Sequence, residues 1–186
     1  GQFYSTKLKS GEDSNELYQH YTNQTRNSFY GTVTPSSIQF VFNPAPNSIK
    51  TFQTINYEGT NGWEVTALIS DETGFDENNS GNWINHVDTI IEGPGATQYR
   101  KIYSYDEGAY EENNIQYRAG FDRKQNKYMA VIPNNTQTPI AGEVVFGNSM
   151  TGIKAYYATV TMKTDLTTSP GGLKELFAVG TTFAPR

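Results

Sequence analysis

The sequence predicts a mostly β fold: an antiparallel β-sandwich or barrel-like domain over residues 35–186 with long loops, preceded by an extended polar arm or linker over 1–34. Three observations carry this. Aromatic residues make up 13% of the chain, with 13 Tyr and 10 Phe, and they alternate with polar neighbours beside Val, Ile and Thr, as pleated half-buried strands require. Charged residues make up only 18%, against roughly 25% in an average soluble chain, so Asn, Thr, Ser and Gln must supply the polar surface, which favours strands and loops over charged helices. The alternating runs are separated by turn-forming clusters: N-P-A-P-N-S at 43–48, E-G-T-N-G at 58–62 and P-G-G at 170–172.

Taken in order, residues 14–26 are the one helix-compatible stretch, with Leu17, Tyr18 and Tyr21 on a shared face, although the Asn and Thr content opposes a helix. Ile38, Phe40 and Phe42 alternate with Gln39 and Val41 until Pro44 and Pro46, which lack amide donors, end the strand. A strand over 51–57 sets Phe52 and Thr54 against Ile55 and Tyr57. After the 58–62 turn, Trp63, Val65, Ala67 and Ile69 supply the next inward face. The acidic, Gly- and Asn-rich stretch 71–82 has no periodicity and reads as a long exposed loop. Residues 99–105 alternate around Ile102, and 117–132 reads as two strands about a polar turn at Asp122 to Lys127. Over 155–164, Tyr156, Ala158, Val160 and Met162 form one face, with Tyr157, Thr159, Thr161 and Lys163 on the other. This run and 174–183 are expected to form a C-terminal hairpin across Pro170, Gly171 and Gly172.

A chain of 186 residues and 20.8 kDa suits one domain of ordinary size. A net charge of −5, a pI near 5.0 and the absence of a dense basic cluster argue against a nucleic-acid-binding face, since phosphate contacts need clustered Lys and Arg. No cysteine is present, which excludes disulfides, thiolate metal sites and a cysteine nucleophile. No apolar run approaches the roughly 18 residues of a spanning helix. The chain begins G-Q-F-Y-S without methionine or a signal-peptide segment, which is expected of part of a longer protein, such as a product of proteolysis.

Residues with catalytic potential do not converge. His20 and His86 lack H-x-H or H-x-x-x-H spacing, no serine sits in a G-x-S-x-G elbow, and E-G-P-G-A at 92–96 lacks the G-K-[ST] of a phosphate loop. Adjacent carboxylates such as Asp76 with Glu77 or Glu111 with Glu112 point to opposite faces of a strand or into solvent, unlike the paired acids of a glycosidase. The 71–82 loop departs from an EF-hand at Thr73 and Phe75. Trp63, Trp83 and Tyr99 have the chemistry to stack on sugars, but Trp63 lies in phase with Val65 and is expected in the core. No catalytic, cofactor or metal residue is assigned.

Three stretches carry a resemblance. I-Q-F-V-F-N-P-A-P-N-S-I-K-T-F-Q-T-I-N-Y-E-G-T at 38–60 is similar to a run recurrent in virion proteins of large tailed phages, departing from it at Ala45 and Pro46. A-G-F-D-R-K-Q-N-K-Y at 119–128, and the segment from Gly142 through Lys174 to Val179, resemble the end of the tail stabilization, or muzzle, family of crAss-like phages. The resemblance implies a non-enzymatic tail subunit in the virion, assembled in the bacterial cytoplasm as a homo-oligomer with the remainder of its own precursor and neighbouring tail proteins. DNA would pass as non-specific cargo through a channel. On that reading the acidic residues Asp71, Asp76, Glu77, Asp106, Glu107, Glu111 and Glu112 are candidates to face the channel, where like charge lets the genome slide. Tyr18, Tyr21, Trp83, Tyr99 and Tyr157 are candidate interface aromatics, because such side chains bury much area at low entropy cost. The alternative from another class is a carbohydrate-binding β-sandwich module, and a third is a glycoside hydrolase fragment.

Overall fold

The computed structural model describes residues 1–8, 11, 15–70, 102–105, 120–132 and 152–185, together with the backbone of strands at 73–76, 83–85, 90–91, 109–112 and 115–118. The described residues form strands and connections, with no helix. In chain order the strands are β1 (Tyr4–Leu8), β2 (Asn15–Gln19), β3 (Ser28–Phe29), β4 (Thr32–Val33), β5 (Ser37–Phe42), β6 (Lys50–Gly59), β7 (Trp63–Ser70), β8 (Thr73–Asp76) and β9 (Trp83–Asn85). There follow β10 (Ile90–Ile91), β11 (Ala109–Glu112), β12 (Ile115–Arg118), β13 (Asp122–Lys124), β14 (Lys127–Val131), β15 (Ile153–Ala155), β16 (Ala158–Thr164) and β17 (Leu176–Pro185).

Two antiparallel sheets enclose the core, and neither closes into a barrel, so of the two expected architectures the sandwich is the one observed. One sheet runs β10-β9-β8-β7-β16-β5. The other is built on β6, whose residues 54–57 pair with β14 and 50–52 with β15 along one edge, while β17 follows residues 50–59 along the opposite edge. Between the sheets lie Phe52, Ile55, Tyr57, Val65, Leu68, Ile102, Phe121, Ile153, Val160 and Met162, all essentially inaccessible to water. Burying each such side chain stabilises the fold by about 1.5–3 kcal/mol, so these ten fix how the sheets face one another.

The segment around Ile102 joins the sheets along one side. Val65 and Ile102 exchange backbone hydrogen bonds of 2.9 Å, and the Phe121 N–H, next to β13, donates to the Tyr103 carbonyl at 3.0 Å. The β8 and β13 edges therefore lie on the same side, which leaves β5 and β17 flanking the other.

Two β-bulges displace the expected alternation. Thr182 pairs with Thr54 but Phe183 with Phe52, so Gln53 is an extra residue in β6. Phe52, Ile55 and Tyr57 consequently share the core face, and the expected opposition of Phe52 to Ile55 and Tyr57 does not hold. In β7, Thr161 pairs with Ala67 and Met162 with Val65, which makes Thr66 the extra residue. Trp63, Val65 and Leu68 then face the core, and Ile69 is only half-buried, in place of the expected Trp63, Val65, Ala67, Ile69 series.

Five other expectations change. The C-terminal runs do not form a hairpin: β16 pairs with β5 and β7 in one sheet, β17 with β6 in the other, and residues 165–175 cross between them. The physical reason is the length of that connection, which frees β17 to reach the unoccupied edge of β6. Ala158, Val160 and Met162 do face the core, but Tyr156 lies in a bend before β16 and is 42% exposed. Residues 15–19, inside the helix-compatible stretch, are strand β2: pairing with β1 outweighs the helix propensity of Glu16, Leu17 and Gln19. The expected 71–82 loop contains strand β8, and residues 102–103 make isolated bridges in place of a continuous strand.

The expected hairpin at 122–127 is present and tight: Lys124 pairs with Lys127 across Gln125 and Asn126. Gln125 has φ 57°, a left-handed conformation that costs a residue bearing a Cβ. Gln125→Gly is expected to raise stability by about 0.5–1 kcal/mol, read as a higher urea midpoint at unchanged slope.

Candidate assembly surface

The side of the sandwich between β5 and β17 is incompletely covered. Val160 and Met162 on β16 are fully buried, whereas Phe40 and Phe42 on the neighbouring β5 are half-buried and Ile38 is 44% exposed. Val179 and Phe183 on β17, in the other sheet, are also half-buried against the core, with the Phe183 ring 6.5 Å from Phe52. Both bounding strands, S-I-Q-F-V-F and L-F-A-V-G-T-T-F-A-P, contain no charged residue. Edge strands are ordinarily protected by Lys, proline or bulges, because their unpaired backbone groups recruit other strands. Here protection is confined to the ends of β17, where Phe177 bulges out 72% exposed and Pro185 closes the strand, leaving Ala178 to Ala184 unguarded.

A second uncovered element is the β1–β2 hairpin. Cross-strand pairing places Ser5 opposite Tyr18 and Lys7 opposite Glu16 on one face. That face is covered by Tyr30: Tyr18 meets its ring edge-on at 5.0 Å, Lys7 Nζ lies 5.3 Å from the ring centroid, and Ser5 Oγ donates to its hydroxyl at 3.2 Å. His20 packs beside it, with Nε2 2.6 Å from Ser5 Oγ and its ring 4.8 Å from Phe3. The Tyr18 hydroxyl donates to the Glu16 carboxylate, and this hydrogen bond, with desolvation and the Glu16 charge, holds the phenol above its ordinary pKa. The opposite face carries Tyr4, Thr6, Leu8, Asn15, Leu17 and Gln19, again without a charge, and Tyr4, Leu8 and Leu17 are 45%, 63% and 69% exposed.

A third region is a polar cleft of about 190 Å³ between residues 26–36 and the 165–174 crossover. Two of its charged groups are engaged: Asp165 accepts from the Thr168 N–H at 2.9 Å and hydroxyl at 2.7 Å, and Lys174 Nζ donates to the carbonyls of Asn61 and Thr168. Beside it the Glu175 carbonyl receives Trp63 Nε1 at 3.1 Å and the Thr60 N–H at 2.9 Å, and a Cβ on Gly59 would lie 2.2 Å from that oxygen. This region is a structural joint that locks the crossover to the β6–β7 turn. Trp63 is buried in it, so its ring is not available to stack on a ligand.

Of the residues singled out from sequence, Tyr18 and Tyr21 come together at the end of the hairpin; Tyr21, at φ 61°, is 95% exposed. Tyr157, 40% exposed, lies apart from them just before β16. Trp83 begins β9, Asp76 ends β8, and Glu111 and Glu112 end β11, but the described residues give only their backbone. Asp71, Glu77, Tyr99, Asp106 and Glu107 lie outside the described residues. Phe177, Leu8, Leu17, Ile38 and Val41 are not among the residues proposed from sequence for the site; for Phe177, Ile38 and Val41 the signal is a strand without charge at the edge of a sheet, and for Leu8 and Leu17 an uncharged face of the β1–β2 hairpin. Among the described residues no cluster of His, Asp or Glu is arranged to hold a metal ion, and no helix is long and apolar enough to cross a membrane.

No curated protein matches the chain. The family model for the crassvirus muzzle protein C-terminal domain matches residues 24–135, more than half of the chain. The match takes in β3 to β14, including the core run from Lys50 to Gly59 and the 122–131 hairpin. Strands β15 to β17, which complete both sheets, follow the matched region. With the central strands of the sandwich inside the match, the chain belongs to the crassvirus muzzle protein C-terminal domain family.

Proposed function

We propose that this chain is a structural domain of a phage tail, part of the muzzle, which acts through subunit contacts around the DNA exit channel and performs no catalysis. The observation that carries the reading is the family membership over residues 24–135. The open, uncharged side of the sandwich supports it, because an apolar sheet edge suits a protein that is covered by neighbours in an assembly. Its partners are further copies of itself, the remainder of its precursor and adjoining tail proteins. Tyr18, Tyr21, Trp83, Tyr99 and Tyr157 contribute to those contacts.

The acidic residues Asp71, Asp76, Glu77, Asp106, Glu107, Glu111 and Glu112 face the channel in this reading, and the net charge of −5 supports it because like charge keeps DNA from adhering. A map of the assembled tail that lines the lumen with Arg100, Lys101, Arg118 and Arg123 contradicts that orientation. The role itself is tested by immunogold labelling of intact virions with antibodies raised against this domain. Gold at the tail is the expected result; gold on the capsid, or none on particles that contain the protein, overturns the assignment.

A further inference from the structure

We infer that the N-terminal β1–β2 hairpin of one copy docks on a second copy, adding a strand to the edge of β17 that no described strand pairs and laying its uncharged face over Ile38, Phe40 and Phe42. The inference rests on the reading of the chain as a self-assembling subunit and specifies the contact. An isolated two-stranded hairpin is marginal in water, and this one packs one face on Tyr30 while exposing Tyr4, Leu8 and Leu17 on the other. The edge from Ala178 to Thr182 keeps regular register over five residues, the length of β1 or β2, before the bulge between Thr182 and Phe183. Both surfaces are free of charge, so their contact strands no ion in an apolar interface.

The areas are also commensurate. Tyr4, Leu8 and Leu17 on the hairpin, with Ile38 on the recipient, each leave on the order of 100 Å² exposed, and pairing of the two strand backbones adds to this apolar contact. The sheet geometry fits: β6 and β17 end their sheet one strand beyond the core on this side, and an added hairpin extends that sheet over the half-buried phenylalanines of β5. Because donor and acceptor surfaces differ, the contact is head-to-tail and propagates from copy to copy, as a ring requires.

The absence of cysteine makes the test clean. Full-length Thr6→Cys and Ala178→Cys proteins are mixed and treated with a short bis-maleimide, with Gln125→Cys replacing Ala178→Cys as the control. The expected result is a cross-linked heterodimer at least tenfold more abundant than in the control, and lost when Thr182→Lys or Leu17→Lys is added at these exposed positions. Copies that associate in sedimentation velocity yet cross-link no better than the control overturn the docking and leave the tail role standing. A protein that stays monomeric without cross-links overturns the docking too, and virion labelling then judges the tail role separately. Product formed only within single chains that carry both cysteines shows the hairpin closing on its own sheet, and also overturns the inference.

Discussion

Tyr57→Ala is expected to destabilise the domain by about 3–5 kcal/mol, a large part of the roughly 5–15 kcal/mol available to a typical fold. Tyr57 is fully buried at the centre of β6, stacked on Tyr128 with ring centroids 4.7 Å apart and an 11° tilt, and met edge-on by Phe121 at 4.9 Å. The three rings come from β6, β14 and the approach to β13, so deleting the middle one leaves a cavity shared by three segments that cannot all collapse into it. Arg123 also lies over Tyr128, 5.7 Å from its centroid, and loses the support of the ring beneath. Urea denaturation of the full chain reads the effect as a lower midpoint. Tyr57→Phe retains the ring contacts and is expected to lose less than about 1.5 kcal/mol; an equal loss in both variants contradicts the packing argument.

Lys50→Met is expected to cost about 2–3 kcal/mol, although it removes a buried charge. Lys50 is wholly inaccessible at the start of β6, and its ammonium donates to the carbonyls of Ala45 at 3.3 Å, Ser48 at 3.0 Å and Tyr156. Its Nζ also lies 5.7 Å from the Phe52 ring centroid. Methionine matches the volume and spares the desolvation of a cation, but it leaves carbonyl oxygens buried with fewer donors, and that deficit is the larger effect. The side chain ties the 43–49 turn to the bend between β15 and β16, where Ala45 holds a left-handed φ of 48°. Lys50→Glu, which sets a carboxylate against the same oxygens, is expected not to fold. Circular dichroism with thermal melting checks both, and a Lys50→Met protein as stable as the parent contradicts the role given to the ammonium.

Much of this fold is legible in the sequence where alternation is unbroken. Ala158, Val160 and Met162 keep strict period two, and β16 is accordingly an inner strand of its sheet, paired on both sides by β7 and β5. The 122–131 hairpin announces itself by a polar turn between two alternating runs. Period two fails at Gln53 and Thr66, where one extra residue turns the strand over, and only the three-residue spacings Phe52 to Ile55 and Val65 to Leu68 hint at it. Strand partners are invisible to alternation, which is why β17 reads as the mate of β16 when it belongs to β6. The K-T-F-Q-T-I-N-Y-E-G run carries much of the core: Lys50, Phe52, Ile55 and Tyr57 are fully buried, and the Glu175 backbone fits against Gly59 because no Cβ intervenes. The proposed assembly surface is the least legible part, since β5 and β17 look in sequence like any other apolar strands; what distinguishes them is their position at an edge.

The central claim is that this domain belongs to the particle and is built into its tail. Quantitative mass spectrometry of purified virions, with host-lysate controls, tests it most directly. Peptides spanning the domain, including the one that follows Lys50, are predicted in the particle at a multiple-copy stoichiometry in fixed ratio to other tail proteins. Peptides confined to the lysate, or present in virions far below the tail proteins, contradict the account.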